Sequence, residues 1–340
     1  MERITEILHT KDLVRAARML RDGECVAFPT ETVYGLGANA WDAQAVQRIF
    51  TAKGRPADNP LIVHCHSQDQ LESVVRSYPD DAKRLMDRFW PGPLSLVLPK
   101  SKHIPAVVSA GLDSVAMRIP DHPVALELLR LARIPIAAPS ANISGRPSPT
   151  RATHVQQDLN GKIAAIVDGG RTGYGLESTV LDCTCNPFRL LRPGGITLEQ
   201  LQTTCFIHID PGIYGNIKDK PRSPGMKYQH YSPDAFLVLV VGENIGPAVQ
   251  DLIKTKQSEH KKIGVMTVTE HVNDYQGVTV LDMGSNQELE TVASRIYHLL
   301  RHVDALGLEY VIVEGLPETH IGMAIMNRLR KAAGYRIITT

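Results

Sequence analysis

Leu13, Ala16, Ala17 and Leu20 recur with the three-and-four spacing of a single helix face, which predicts a helix over 10–22 with Thr10 as its cap and Gly23 as its stop. The same reasoning predicts helices over 42–54, 67–76, 80–89, 122–132, 150–159 and 197–203. Short apolar runs at 25–28, 61–63, 94–98, 114–119, 134–138, 163–167, 178–183 and 188–191 predict strands between many of them. Elements of these lengths suggest an α/β domain with a twisted, mostly mixed sheet. The rhythm breaks over 206–233, where four prolines, three glycines and three tyrosines rule out a regular helix or a central strand. A second rhythm then alternates strands at 236–241, 262–268, 278–282 and 310–314 with helices at 244–257, 286–305 and 322–333. That pattern predicts a small, doubly wound parallel unit. The expected organisation is 1–205, a linker at 206–233, and 234–340.

Charge narrows the range of partners. Residues 1–205 carry 23 basic and 21 acidic side chains, 206–233 carry 4 and 2, and 234–340 carry 10 and 13, giving +2, +2 and −3. A protein that grips a long nucleic-acid backbone shows a clear basic excess, so no stable nucleic-acid binding is expected. The chain has no apolar run long enough to span a bilayer, and its first residues do not read as an export signal. Five scattered cysteines make no disulfide framework, and a cytoplasmic setting is expected.

Candidate chemistry concentrates at strand ends. The stretch 53–64 places a glycine between Lys53 and Arg55, so that both cations can converge on one anion, and Asn59-Pro60 then turns the chain into a strand. Taken alone, Lys-x-Arg reads as a basic surface turn. Pro29-Thr-Glu-Thr-Val-Tyr-Gly35-Leu-Gly37 reads as a Gly-rich loop whose backbone a ligand can approach. Gly35 to Ala40 fits the dinucleotide fingerprint in spacing, but a poor strand precedes it, and there is no P-loop. The segment 134–148 is an apolar strand running into a polar loop with Ser140, Asn142 and Ser148, where α/β proteins place ligand contacts. Ser114 and Arg118 bracket another strand, Ser178 opens one and Arg192 closes one. Cys183-x-Cys185, read as lying on a strand, and His64-x-His66 lack the second pair a zinc site needs, so no protein metal site is expected.

In order, Pro-Thr-Glu-Thr-Val-Tyr-Gly-Leu-Gly, Lys-Gly-Arg-Pro-x-x-Asn-Pro-Leu, Trp-Pro-Gly-Pro-Leu, Pro-Ser-Ala-Asn-x-Ser-Gly and Ser-Thr-Val-x-Asp resemble the motifs of the YrdC-type threonylcarbamoyl-AMP synthases. The 223–233 segment and the C-terminal unit resemble the long, two-domain branch of that family. The resemblance implies a YrdC-like catalytic domain followed by a smaller, Rossmann-like parallel α/β domain, with the linker as an active-site lid. It implies synthesis of L-threonylcarbamoyladenylate from L-threonine, bicarbonate or carbon dioxide and ATP, with pyrophosphate released and Mg²⁺ on the phosphates. Downstream partners would move the threonylcarbamoyl group to a tRNA adenosine. By the same resemblance, Lys53 and Arg55 are catalytic. Arg55, Asn59, Ser114, Ser140, Asn142, Ser148, Arg192 and Tyr231 contact the nucleotide, whereas Thr32, His64, Arg118, the Ala138 backbone and Ser178 hold threonine. Two other readings stay open beside it: an RNA-binding module, and a carbamoyltransferase acting on carbamoyl phosphate.

Overall fold

A computed structural model describes residues 4–215 and 231–340. The chain divides into two compact units; the first holds residues 4–144 and 148–215, and the second holds 145–147 and 231–340. The three residues Gly145–Pro147 were expected in the first domain. They belong with the second unit because Ser232 N donates to Gly145 O (3.0 Å) and Arg301 Nη2 donates to Pro147 O (2.6 Å).

Among the described residues, the first unit has an eleven-stranded mixed sheet. Its spatial order is Glu6–His9, Ala165–Asp168, Val26–Phe28, Gly35–Asn39, Ile136–Ala137, Ile62–His64, Ser114–Arg118, Leu94–Pro99, Thr179–Asp182, Phe188–Arg192 and Ile207–Ile209. Helices Leu13–Arg21 and Pro123–Ala132 bury Ala16, Ala17, Leu20, Leu128 and Leu129 against the sheet through Val26, Phe28 and Val167. Helix Ala43–Lys53 starts where Asp42 accepts from Gln44 N and Ala45 N, and it ends at Gly54, whose φ of 59° suits a left-handed cap. That helix carries Lys53 to the strand ends.

Several parts of this unit differ from the pattern-based expectation. Gly35–Asn39 is a strand, not a ligand loop: it pairs antiparallel with Val26–Phe28, Val26 opposite Gly37. A Cβ on Gly37 would stand 2.7 Å from both Phe28 and Ile136, so this glycine serves packing. The predicted 67–76 helix is one 3₁₀ turn, Gln68–Gln70, followed by the short helix Leu71–Val74. The first helix begins at Leu13, and Thr10 lies in a preceding 3₁₀ turn instead of capping it. Two edge strands, Glu6–His9 and Ile207–Ile209, were not anticipated, because both are short and interrupted by polar residues. Cys183 sits one residue past its strand.

Among the described residues, the second unit has a five-stranded sheet in which every pair is parallel. Its order is Thr279–Asp282, Ile263–Thr267, Tyr310–Glu314, Phe236–Val241 and Ile337–Thr339. Numbered along the chain, the order is 3-2-4-1-5, so the unit is Rossmann-like in architecture but exchanges strand positions relative to the dinucleotide fold. Apolar strands such as Phe-Leu-Val-Leu-Val-Val, mostly buried, are what a sheet covered on both faces requires.

Candidate active site

The site residues of the first unit assemble from three loops and the ends of four strands. After Phe28 the chain enters a turn organised by Thr30: its Oγ1 accepts from Thr32 N (3.2 Å) and Val33 N (3.3 Å) and meets Thr32 Oγ1 at 2.7 Å. Thr32 Oγ1 in turn accepts from Arg118 Nη1 (2.9 Å). The Arg118 guanidinium is 3% exposed, donates through Nε to Gly92 O (3.0 Å), and forms an ion pair with the buried Glu31.

Arg118 closes its strand directly beside His64, because Ile62–His64 and Ser114–Arg118 run parallel with His64 opposite Arg118. Alternation along the strands places His64 and Arg118 on the face that holds Ile62, Val97, Ala116 and Val180, and a register shift between Leu190 and Arg192 sets Arg192 opposite Val180 on that same apolar floor. Ser114 opens the strand that Arg118 closes, so the two are roughly 13 Å apart along the same face.

His64 is 5% exposed, and its ring meets Phe28 edge-on at 6.3 Å. Burial, and then the positive charge of Arg118, lower its pKa from 6.5 to about 3. The imidazole is therefore neutral at pH 7, and Nδ1 has no hydrogen-bond partner among the described residues. An unfolded chain takes up this proton near pH 6.5 and the folded chain only near pH 3, so acid favours unfolding over that window. We therefore expect His64→Gln to flatten the fall in Tm between pH 6.5 and pH 4 relative to the parent. Parallel Tm-against-pH curves for the two proteins would overturn this.

On the other side, Lys53 is 2% exposed, and its ammonium donates to the backbone carbonyls of Ser140 (2.6 Å) and Asn142. Ser144 N returns a bond to Lys53 O (3.0 Å). The Lys-x-Arg and Ser-x-Asn segments are thus one hydrogen-bonded assembly, with Lys53 holding the 140–144 loop. Two residues on, Arg55 donates to Asn59 O (3.3 Å) and Pro60 O (3.1 Å). Asn59 is 1% exposed, and its Oδ1 has no partner among the described residues. Ala138 N donates to Ile62 O (2.9 Å), which joins the 136–140 segment to the His64 strand.

Arg192 lies against Ser178, donating to Ser178 O from Nε (3.1 Å) and Nη2 (2.9 Å) and to Ser178 Oγ from Nη2 (3.2 Å). Gly194 makes this approach possible, since a Cβ there would stand 2.3 Å from Thr179 N. Ser178 Oγ also meets Ser95 Oγ at 2.8 Å, and Ser148 Oγ donates to Glu177 Oε1 (2.5 Å). Tyr231 falls in the second unit, buried on Tyr297 (centroids 5.1 Å apart) with Arg328 over its ring. Most of the linker that precedes it, 216–230, lies outside the described residues.

Pattern reasoning passed over two buried carboxylates, Glu31 and Glu177. Each stands alone among hydroxyls and apolar residues, in Pro-Thr-Glu-Thr-Val and Leu-Glu-Ser-Thr-Val. An isolated acid in so apolar a run was the available signal.

The strand ends of this α/β domain gather cations, hydroxyls and carboxamides over an apolar floor, the composition that sites for small, charged ligands favour. Residues 18–194 match the Sua5, YciO and YrdC family profile, described as "Telomere recombination", and 196–334 match "Threonylcarbamoyl-AMP synthase, C-terminal domain". The threonylcarbamoyl-AMP synthase of Pyrococcus abyssi is 51% identical over 95% of this chain and 94% of its own length. That of Bacillus subtilis is 51% identical over 98% and 97%. A crystal structure of P. abyssi Sua5 complexed with L-threonine superposes with a TM-score of 0.94 at 48% identity, covering 99% of each chain. Escherichia coli YciO shares the fold of the first unit, with a TM-score of 0.51 at 23% identity over 56% of this chain and 96% of its own. The chain belongs to the threonylcarbamoyl-AMP synthase family, a family of enzymes, in its two-domain form. Among the described residues, no helix is long and apolar enough to cross a membrane.

Proposed function

We propose that this chain condenses L-threonine, bicarbonate or dissolved carbon dioxide, and ATP into L-threonylcarbamoyladenylate, releasing pyrophosphate. The observation that carries the reading is the direct contact of Arg192 with Ser178, the one assigned to nucleotide and the other to threonine. Two substrates held by residues that touch each other are placed to react. The names of the close relatives and the L-threonine bound to P. abyssi Sua5 support the same assignment.

In this reading Arg55, Asn59, Ser114, Ser140, Asn142, Ser148 and Arg192 hold ATP. Threonine is held by Thr32, His64, Arg118, Ala138 and Ser178. The unpartnered Asn59 Oδ1 is a hydrogen-bond acceptor suited to a nucleotide N–H or hydroxyl. The unpartnered His64 Nδ1 is suited to a threonine hydroxyl. Threonine's ammonium first gives up a proton, the free amine adds to carbon dioxide, and loss of a second proton to solvent leaves a carbamate anion whose oxygen attacks the α-phosphorus as pyrophosphate leaves. The nucleophile is already an anion, so catalysis consists of alignment and charge neutralisation. Arg55 would neutralise phosphate charge, while Lys53 acts by holding the Ser140–Asn142 backbone.

Mg²⁺ would arrive on the triphosphate and offset its charge. Among the described residues no group of three or more His, Cys, Asp or Glu side chains could hold a metal. Carbamates hydrolyse readily, and we assign the linker the role of excluding water; expected over 206–233, it begins only after Ile207–Ile209, which is an edge strand of the first unit's sheet. Transfer of the product to a tRNA adenosine falls to downstream proteins. Five free cysteines fit the cytoplasmic setting we propose.

The deciding measurement is pyrophosphate release by the full chain with Mg-ATP. Release is expected only when both threonine and bicarbonate are present, with the adenylate detectable by mass. Release that needs neither would reduce the protein to a nucleotide hydrolase, and release with carbamoyl phosphate but without threonine would favour the carbamoyltransferase.

A further inference from the structure

Glu31 is the least satisfied polar group in the first unit's site. Its side chain is 8% exposed, it forms an ion pair with Arg118 Nη2, and yet neither carboxylate oxygen accepts a hydrogen bond. Arg118 is the mirror case: Nε and Nη1 are bonded to Gly92 O and Thr32 Oγ1, while Nη2, the atom facing Glu31, has no acceptor of good geometry. A carboxylate and a guanidinium taken out of water are normally bound by several hydrogen bonds, because unsatisfied buried charge is costly. The turn is held by other contacts, for Tyr174 N donates to Glu31 O (2.8 Å) and Gly175 N to Thr32 O (3.1 Å). Glu31 is therefore placed by its backbone and keeps its side chain for something else.

We propose that the Glu31–Arg118 pair is a receptor for the two charges of a zwitterion: Arg118 takes the α-carboxylate of the amino acid substrate, and Glu31 takes its α-ammonium. The inference rests on the threonine site assigned above, and it adds a residue that the sequence motifs had left without a role. A zwitterion that inserts between the two groups keeps the site neutral, replaces one ion pair with two, and supplies the hydrogen bonds that both lack. Arg118 Nη1 stays on Thr32, so the clamp is already oriented when substrate arrives. Glu31 thereby makes the site select an amino acid over the corresponding hydroxy acid, in which nothing bears a positive charge.

The test compares L-threonine with 2,3-dihydroxybutanoate, its analogue with hydroxyl in place of amine, by calorimetric titration into the full chain. The parent is expected to prefer threonine by roughly 10- to 100-fold, the range of a hydrogen bond to a charged group. Glu31→Gln should lose most of that preference by weakening threonine while leaving the analogue within a few-fold. A Glu31→Gln variant that keeps the parent's preference overturns the proposal. If Glu31→Gln does not fold, as a circular-dichroism melt will show, Glu31→Asp is read instead. It keeps the charge but draws it back by one methylene, so threonine should weaken several-fold and the analogue little; equal losses for both ligands would again overturn the proposal. A parent that binds neither ligand, alone or with Mg-ATP, sinks the threonine site itself, and the zwitterion receptor with it.

Discussion

Arg118→Leu is expected to abolish threonine-dependent pyrophosphate release, by three decades or more, and to lower stability by about 3–5 kcal/mol, the range for stranding one partner of a buried ion pair. The two effects share a cause. Arg118 holds Glu31, Thr32 and the carbonyl of Gly92, so its loss leaves a buried carboxylate and a buried carbonyl short of partners and dismantles the clamp for the substrate carboxylate. A second substitution separates them. The double variant Arg118→Leu with Glu31→Leu removes both charges, and such replacements of buried pairs are often neutral or stabilising. It should recover most of the lost Tm and none of the activity. Circular-dichroism melts and pyrophosphate assays on the parent, the single and the double variant decide the matter. An Arg118→Leu protein as stable as the parent would show that the pair contributes nothing to the fold.

The second large effect is expected at Lys53. Lys53→Met keeps the apolar stem and removes the ammonium that binds Ser140 O and Asn142 O. Each buried carbonyl left without its donor costs about 1–3 kcal/mol, so Tm should fall by several degrees. Release of the 140–144 loop also misplaces Ser140 and Asn142, and errors on the order of 1 Å at a positioning residue lower turnover by about 10²-fold. Both readouts should move together. Turnover that falls while Tm stays put would move the ammonium off the loop and onto the phosphates, where the Lys-x-Arg motif by itself would put it.

These expectations come from different levels of description. The mixed sheet and the parallel C-terminal sheet were legible in the alternation of apolar runs with helix-spaced faces, because burial of an apolar stripe forces those periods on any chain. Gly35–Asn39 was not legible, since Gly-Leu-Gly-Ala-Asn has neither β-branched nor aromatic residues. It becomes a strand only because Phe28 and Ile136 close over Gly37. The terminal strand Ile337–Thr339 was missed for a similar reason: three residues have no pattern of their own, and the neighbouring Phe236–Val241 supplies the pairing. Boundaries such as Gly54 were read correctly because capping is a local matter.

For the site, residue types at strand ends pointed to an anionic ligand, and the ordered motifs resembled one family of enzymes. Position along the chain, however, carries no information about which side chain meets which. That Lys53 turns to the Ser140 and Asn142 carbonyls, 87 and 89 residues away, is decided by packing alone. That Glu31 faces Arg118 is decided by the register that sets Arg118 beside His64 and by the turn built on Thr30. The sequence by itself determined the two-part α/β architecture and the inventory of charged and hydroxyl groups, because periodicity, capping and composition are short-range properties. The pairing of those groups was left to the tertiary structure, because a buried charge takes its role from the partner that desolvation forces upon it.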